Sequence, residues 1–225
     1  MAIKKFTIVS ACMNRSPMLR VSLQSWIGNP SVSEIIIVDW SSKDPLLWAK
    51  SLDPRVNILR INNQKFFNKG KALNTGIQAS TGNFVIQMDV DYILNPYKNL
   101  VEVLQKTLTE EDFLVCSGWM GDGAGTGAPF LKPTNGFLCA PKKRLLEAGG
   151  YNENLQGWGY DDDDIIYKLK KLGLNQKILR LSGGKFIYHN PHGPEKRAEN
   201  YANKNLRDSW ERNKAISEKS LNNNA

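Results

Sequence analysis

Two carboxylates, Asp89 and Asp91, stand at the end of the apolar run 83–89 and offer the first chemistry in this sequence. Residues two apart in an extended chain project to the same side. If the run is a strand of a parallel sheet, both lie at the carboxyl edge, where such sheets bind ligands. Carboxylates this close repel each other unless a cation lies between them, and Mg²⁺ or Mn²⁺ holding a diphosphate suits such ligands. An Asx turn that ends the strand explains this motif equally well.

The two histidines of the sequence, His189 and His192, lie three residues apart, directly after the predicted strand 185–189. A single histidine here would be interpreted as surface decoration, but a pair in a tight turn favours a metal site. Imidazoles together with a carboxylate suit Mn²⁺ or a related transition ion better than Mg²⁺.

Four aspartates, 161–164, follow the Gly-Trp-Gly of residues 157–159 and open a helical pattern that ends near Gly173. Helix N-termini favour acidic residues, so a structural cap is the simplest interpretation. Two adjacent carboxylates also raise the pKa of one of them toward the range of a general base. A cap, a metal site and a general base all stay open from these residues alone.

The segment 66–84 combines lysines and glycines around a predicted helix start, which is a place where anions bind. It matches neither the P-loop pattern nor the Gly-x-Gly-x-x-Gly dinucleotide pattern. Lys69 and Lys71 are therefore either anion-binding groups or plain solvated charges.

The candidate site residues must be positioned by secondary structure, and the sequence contains short β-rich runs that alternate with helical patterns. Such alternation predicts an α/β fold with a mostly parallel sheet covered by helices on both faces. Helices are predicted at 16–27, with Ser16 as N-cap, and at 95–108. The Gly- and Pro-rich stretch 118–136 is expected to be a mobile lid or an ordinary loop. Strands are predicted at 6–10, 34–39, 56–61, 83–89, 113–117 and 185–189.

The composition is that of a globular chain with excess positive charge. A net charge of +8 suits an anionic partner such as a nucleic acid, an acidic membrane surface or a phosphorylated substrate. No apolar run approaches the ~18 residues of a membrane span, and three cysteines in apolar settings favour a reducing, cytoplasmic compartment. Residues 196–225 are predicted to form a basic C-terminal helix with a frayed tail, which either rests on an anionic membrane or presents a solvated face.

Three motifs point to one protein family when they occur together and in this order: "FNKGKALNTG" (67–76), "DVD" (89–91) and "GWGYDDDD" (157–164). As a set they resemble the GT-A glycosyltransferases, in particular the inverting β-1,4-galactosyltransferase and chondroitin-polymerase group, which is family 2-like. The resemblance implies a single Rossmann-like GT-A domain over residues 1–195, with a mixed, mostly parallel central sheet flanked by helices. Its nucleotide-binding half would span about 1–92 and its acceptor-binding half about 93–195.

The resemblance also implies a role for each matching position. The cofactor would be Mn²⁺ or Mg²⁺, and the metal ligands would be Asp91, His189 and His192. A UDP-sugar would be bound by Arg15 on the diphosphate, Asp39 against the uracil, and Phe67, Lys69, Asn74 and Asp89. A glycan or glycoconjugate acceptor would be bound by Trp158, Gly159 and Asp161. The general base would be Asp162.

A base that takes the proton of the acceptor hydroxyl contributes about 10²–10⁴-fold to the rate. One base without a dedicated nucleophile implies inversion at the anomeric carbon. The chain departs from the family pattern by Tyr160 for glycine, Asp161 for glutamate, Lys69 for arginine and His189 for methionine. These departures keep the reaction class but leave the donor sugar (galactose, glucose or an N-acetylhexosamine) and the acceptor undefined.

Other protein classes explain parts of the pattern. A nucleic-acid-binding protein would account for the positive charge, but clustered carboxylates repel phosphate unless a metal is present, so we expect no nucleic-acid partner. A sugar-phosphate nucleotidyltransferase shares this kind of sheet, yet it carries a Gly-rich loop after the first strand, which residues 10–19 lack. A nucleotide-sugar-binding protein without transferase activity would have lost Asp162, which is present.

Overall fold

A computed structural model describes residues 4–117, 133–180, 186–190 and 192–223. Its strands are β1 (Phe6–Cys12), β2 (Val32–Trp40), β3 (Val56–Ile61), β4 (Phe84–Met88), β5 (Tyr92–Leu94), β6 (Asp112–Ser117), β7 (Pro133–Pro141), β8 (Asn175–Arg180) and β9 (Ile187–His189). Seven of them form one sheet in the order β3-β2-β1-β4-β7-β6-β8. Within this sheet β7 runs antiparallel to its two neighbours, and the other pairs are parallel. The predicted α/β class with a mixed, mostly parallel sheet is confirmed.

The helices are α1 (Ser16–Ile27), α2 (Lys69–Ala79), α3 (Leu100–Thr107), α4 (Lys142–Glu147), α5 (Asp161–Lys171), α6 (Pro194–Ala198) and α7 (Leu206–Asn223). Apolar side chains cover both faces of the sheet in two clusters, one around Trp26 and Phe84 and the other around Leu73 and Tyr151. Because both faces are covered, the central strands are nearly continuous runs of buried Val and Ile, as parallel sheets require.

A second, two-stranded sheet is formed by β5 and β9, with Tyr92 opposite His189. The chain turns at Asp89–Tyr92, where the Tyr92 N–H donates to the Asp89 carbonyl at 3.0 Å. The Asn190 N–H donates to the Asp91 carbonyl at 2.7 Å. This pairing places the end of β4 beside the turn that follows β9.

The structure corrects several local predictions. Helix α1 begins at Ser16, so Arg15 and not Ser16 occupies the N-cap, with Pro17 in the first turn, where its missing N–H costs nothing. Helix α3 begins at Leu100 and not at residue 95, because the Asn99 side chain accepts the Glu102 N–H and caps the helix there. Strands β5, β7 and β8 were not predicted.

The predicted C-terminal helix consists of two helices, α6 and α7. Tyr201, in the segment between them, is buried, and α7 packs against α5. The predicted lid lies outside the described residues except for 133–136, which begin β7. The three cysteines are free and buried, as expected without a disulfide framework. Within the described ranges, no helix combines the length and hydropathy needed to cross a membrane.

Candidate active site

A carboxylate and two imidazoles converge where β4, β5 and β9 meet. Nε2 of His192 lies 2.8 Å from Oδ2 of Asp91, and Nε2 of His189 lies 3.6 Å from the same oxygen. The Asp91 side chain is 5% exposed. Burial by itself would raise the pKa of this carboxyl, but contacts with His189 and His192 and the charge of Arg15 hold the pKa well below its ordinary value.

The residues of this cluster fit a divalent transition metal. One ligand atom from each of Asp91, His189 and His192 lies within 4.8 Å of the others. Oδ1 of Asp91 is buried and has no hydrogen-bond partner among the described residues, which is costly unless a further group binds it. Two imidazoles and one carboxylate form a donor set that suits Mn²⁺.

Arg15 extends from the end of β1 into the same site. One of its guanidinium nitrogens lies 3.4 Å from Oδ2 of Asp91, and another donates to the Lys196 carbonyl at 2.6 Å. Its side chain is 20% exposed. The cation therefore stands at the opening of the cluster, where an anionic ligand could meet both the guanidinium and a metal.

A largely buried lysine, Lys69, whose side chain is 13% exposed, pairs with the second group of carboxylates. Nζ of Lys69, at the start of α2, lies 2.7 Å from Asp161, 3.6 Å from Asp162 and 3.2 Å from Asp89. Asp161 and Asp162 open α5, and Asp89 lies two residues before the metal-ligand candidate Asp91. Lys69 therefore joins the two acidic motifs of the sequence into one site.

Burial and mutual repulsion change the pKa values of this lysine-centred cluster. Burial raises the pKa of Asp162 to about 8; the charge of Lys69 opposes this increase, and the charges of Asp161 and Asp89 add to it. The pKa of Asp89 is also raised, chiefly by burial. Burial alone would lower the pKa of Lys69, but the three carboxylates raise it well above its ordinary value. A carboxyl that titrates near neutral pH is suited to act as a general base.

The second half of the four-aspartate run, Asp163 and Asp164, has two different environments. Asp163 is exposed, as a solvated cap should be, but Asp164 is fully buried. Its carboxylate lies 2.9 Å from Nζ of Lys168 and accepts a hydrogen bond from Ser217 at 2.5 Å. Asp164 is therefore an anchor between α5 and α7, which sequence spacing could not show.

Two predicted donor-binding residues have their polar atoms directed into the protein. Asp39 is fully buried, and its carboxylate accepts from the Ser42 and Leu46 N–H groups and pairs with Arg60. Asn74 accepts the Tyr151 N–H and donates to the Tyr151 carbonyl and to Glu153. Neither side chain joins the two clusters described above.

Two predicted aromatic site residues, Phe67 and Trp158, come shortly before Lys69 and Asp161 in the sequence. Phe67 packs against Tyr201 with ring centroids 5.6 Å apart, and its N–H donates to the Asn200 carbonyl. The ring of Trp158 lies 5.7 Å from the guanidinium of Arg197. Nothing in the local sequence assigned Tyr201, Asn200 or Arg197 to the site, because tertiary packing brings them to Phe67 and Trp158.

The sequence pattern that defines glycosyl transferase family 2 matches residues 7–222, almost the whole described chain. The chain belongs to glycosyl transferase family 2. This assignment confirms the resemblance to the GT-A glycosyltransferases.

The curated relatives of this family 2 member are distant. Beta-1,4-galactosyltransferase 1 of Mus musculus is 24% identical over 139 residues, which are 58% of this chain and 32% of the relative. Chondroitin sulfate synthase 3 of Homo sapiens is 37% identical over 57 residues, which are 25% of this chain and 6% of the relative. The chain thus spans about a third of the length of the galactosyltransferases that it matches.

Solved structures share the fold of this family 2 member. S. aureus TarS 1–349 in complex with UDP-GlcNAc superposes with a TM-score of 0.67 at 18% identity, covering 87% of this chain and 64% of that one. GalNAc-T7 with UDP, GalNAc and Mn²⁺ superposes with a TM-score of 0.62 at 17% identity, covering 83% of this chain and 44% of that one. The Pyrobaculum calidifontis mannosyltransferase with GDP-Man and Mn²⁺ superposes with a TM-score of 0.64 at 15% identity, covering 84% of this chain and 58% of that one.

Proposed function

We propose that this protein is a metal-dependent, inverting glycosyltransferase that moves a hexose or N-acetylhexosamine from a UDP-sugar to a hydroxyl of a glycan or glycoconjugate. The observation that carries the proposal is the position of Lys69. Its ammonium joins Asp162, the proposed base, to Asp89, two residues from the Asp91–His189–His192 cluster. The proposed proton acceptor, the candidate cation-binding residues and a fixed positive charge thus lie next to one another.

The donor end of the reaction is assigned to the metal-ligand candidates and Arg15. Asp91, His189 and His192 would hold Mn²⁺ or Mg²⁺, which when bound supplies positive charge to the diphosphate. Arg15 would donate to the diphosphate from the other side, and Asp89 would contact the ribose or the sugar. Phe67 would border the nucleotide.

Asp39 and Asn74 would support the donor site indirectly. The Asp39 carboxylate fixes Ser42, whose hydroxyl accepts the Asn14 N–H at 3.0 Å, directly before Arg15. Asn74 fixes the Tyr151–Glu153 turn, and the Glu153 carbonyl accepts from the side chain of Asn68, the N-cap of α2. Both would therefore hold the elements that carry Arg15 and Lys69.

The acceptor end is assigned to the start of α5 and the loop before it. Trp158 and Gly159 would shape the acceptor pocket, and Asp161 would bind an acceptor hydroxyl. Asp162 would take the proton from the attacking hydroxyl as its oxygen forms a bond to the anomeric carbon. The bond from that carbon to the diphosphate oxygen breaks in the same step, and its electron pair leaves with UDP. A single displacement inverts the anomeric configuration.

Nucleotide-sugar calorimetry tests the donor assignment. UDP-Gal, UDP-GalNAc, UDP-GlcNAc, UDP-Glc and GDP-Man would be titrated with and without Mn²⁺ into the wild type and Asp91→Ala. We expect at least one UDP-sugar to bind the wild type in the presence of Mn²⁺ and to bind the variant at least about 10-fold more weakly, the typical cost of disturbing a metal site.

Asp112→Ala is the matched control for this titration. Asp112 is buried like Asp91, but it begins β6 at the opposite end of the sheet. Its removal should lower stability and leave metal-dependent binding unchanged. Failure of every UDP-sugar to bind, or binding that ignores both Mn²⁺ and Asp91, would contradict the donor assignment.

The pH dependence of transfer tests the base. Asp162 accepts a proton only when it is ionised, and its raised pKa of about 8 means that activity is lost as pH falls below that value. We expect kcat/KM to rise with pH through this range and then to level off. A rate that is flat between pH 6 and 9 would exclude a base with this pKa.

The outward face of α7 supports the solvated interpretation of the C-terminal segment over membrane contact. Arg207 pairs with Glu211 and Lys214 with Glu218, each four residues apart on the helix surface. These pairs balance charge locally and leave little net attraction for an anionic membrane. We therefore propose that α7 serves the site that it packs against.

A further inference from the structure

Helix α7 holds the loop that carries Trp158. The side chain of Asn213 is almost fully buried. Its carbonyl oxygen accepts the Gln156 N–H at 3.1 Å, and its amide nitrogen donates to the Gly159 carbonyl at 2.9 Å. These contacts lie on the two sides of Trp158, so one side chain fixes both ends of residues 156–159, hereafter the Trp158 loop.

The two glycines of the Gly-Trp-Gly motif allow this close approach. Gly157 has φ +89°, and a Cβ there would lie 2.5 Å from Oγ of Ser209 on α7. Gly159 has φ +93°, and a Cβ there would lie 2.8 Å from Cδ1 of Trp210. Any other residue would combine backbone strain with a steric clash. The motif is therefore a docking surface for α7 as well as a mount for Trp158.

The Trp158 loop leads directly into the proposed acceptor-binding acids. Tyr160 follows it with φ +70°, which is unfavourable for a non-glycine residue, and its ring packs edge-on against Trp210 at 5.4 Å. Asp161 and Asp162 come next, at the first turn of α5. Because no residue separates the anchored loop from these acids other than Tyr160, a displaced loop displaces them.

We propose that Asn213 is a positioning residue for the acceptor half of the reaction. Without touching either substrate, it fixes Trp158 and thereby the approach of the acceptor hydroxyl to Asp162. The proposal rests on the proposed function and adds a part of the chain that the signature motifs do not include. A displacement of about 1 Å at a reacting group can cost about 10²-fold in rate.

Asn213→Ala tests the proposal, with Ser217→Ala as its matched partner. Both residues lie on the buried face of α7, and each donates a hydrogen bond toward the α5 side. Ser217 reaches Asp164 and does not contact the Trp158 loop. A purely structural role for α7 would make the two variants alike in activity wherever both are folded.

The expected result separates the two variants. Below the melting temperature of both, Asn213→Ala should lower kcat by about 10- to 100-fold and raise the acceptor KM, with the donor KM unchanged. Ser217→Ala should keep kcat near the wild-type value. Hydrogen exchange at the Gln156 amide should become faster in Asn213→Ala alone, and this measurement needs no substrate.

Each contrary outcome is distinct. Equal losses of kcat in the two variants, or a loss that follows donor binding, would overturn the role of Asn213 and leave the transferase assignment intact. Unchanged exchange at Gln156 would show that Asn213 does not hold the loop, which also overturns the proposal. If the wild type transfers no sugar from any UDP donor, the proposed function fails, and the positioning role fails with it.

Discussion

Asp162→Asn is expected to lower the rate of sugar transfer by about 10²–10⁴-fold, the contribution of a positioned general base. The amide has almost the same shape as the carboxylate but cannot accept the proton of the acceptor hydroxyl. Donor binding should remain nearly unchanged, because Lys69 keeps Asp161 at 2.7 Å and Asp89 at 3.2 Å. Initial rates and calorimetry on the same preparation measure both quantities.

Asp163→Asn is the control for this variant. Asp163 is the next residue in the same helical turn, but its side chain is exposed and has no ion pair with Lys69. Its amide variant should transfer sugar at close to the wild-type rate. Loss of donor binding in Asp162→Asn would reassign Asp162 to a structural role, and an unchanged rate would remove it from the chemistry.

The substitution Asp162→Asn should also stabilise the folded chain at alkaline pH. The pKa of Asp162 is about 8 in the folded state, above the ordinary value of 3.8. The folded state therefore binds more protons than the unfolded state between these values, and stability falls as pH rises through this window. Asparagine does not ionise, so the Tm of Asp162→Asn should exceed that of the wild type at pH 8.5 and approach or fall below it near pH 4.

Among the variants with a predicted effect on folding, Lys69→Met is expected to lower the free energy of unfolding the most. It removes the shared cation from three carboxylates and leaves uncompensated negative charge in a site where the Asp161 and Asp162 side chains are about 15% exposed. Breaking a buried ion pair in this way costs about 3–5 kcal/mol, which corresponds to roughly 6–20 °C in Tm for a chain of this size. Thermal unfolding at pH 8 measures it.

The loss should depend on pH in a direction that follows from the pKa values. Without Lys69, the already raised pKa values of Asp89 and Asp162 rise further, so these two groups take up protons in the folded state as pH falls. The deficit relative to wild type should therefore be smaller at pH 5 than at pH 8. An equal deficit at both values would show that lost packing, and not charge, accounts for the effect.

The variant Lys69→Arg distinguishes the effect of positive charge at position 69 from the effect of side-chain shape. The family pattern has arginine at this position, and a guanidinium would keep the positive charge among Asp89, Asp161 and Asp162. We expect this variant to retain most of the stability that methionine loses. If arginine destabilises the chain as much as methionine does, the geometry of the lysine ammonium is the decisive factor.

The strand pattern was predictable where the signal is local. The edge strand β3 was predicted with its observed limits, and β1, β2, β4 and β6 were predicted within two residues at each end. Strand β7 escaped prediction because Pro133, Gly136 and Pro141 make it resemble a loop. Pairing with β4 and β6 in the centre of the sheet stabilises it nonetheless.

Gly136 illustrates what the strand pattern could not show. A Cβ at this position would lie 2.6 Å from Oδ2 of Asp89, and the Gly136 carbonyl accepts the Asp89 N–H at 2.9 Å. Glycine is there because the backbone of β7 approaches a site residue closely. A contact between residues this far apart in the sequence leaves no local trace.

The sequence by itself determined the family, the sheet-based fold and the chemically competent residue types, since motif order and hydrophobic period are properties of the linear chain. Only the tertiary structure decided how the groups combine. The β5–β9 pairing brings His189 and His192 to Asp91, and Lys69 joins Asp89 to Asp161 and Asp162. Tertiary packing also directs the side chains of Asp39 and Asn74 into the protein and places Asn213 against the Trp158 loop. Long-range packing sets these distances, and spacing along the chain does not encode them.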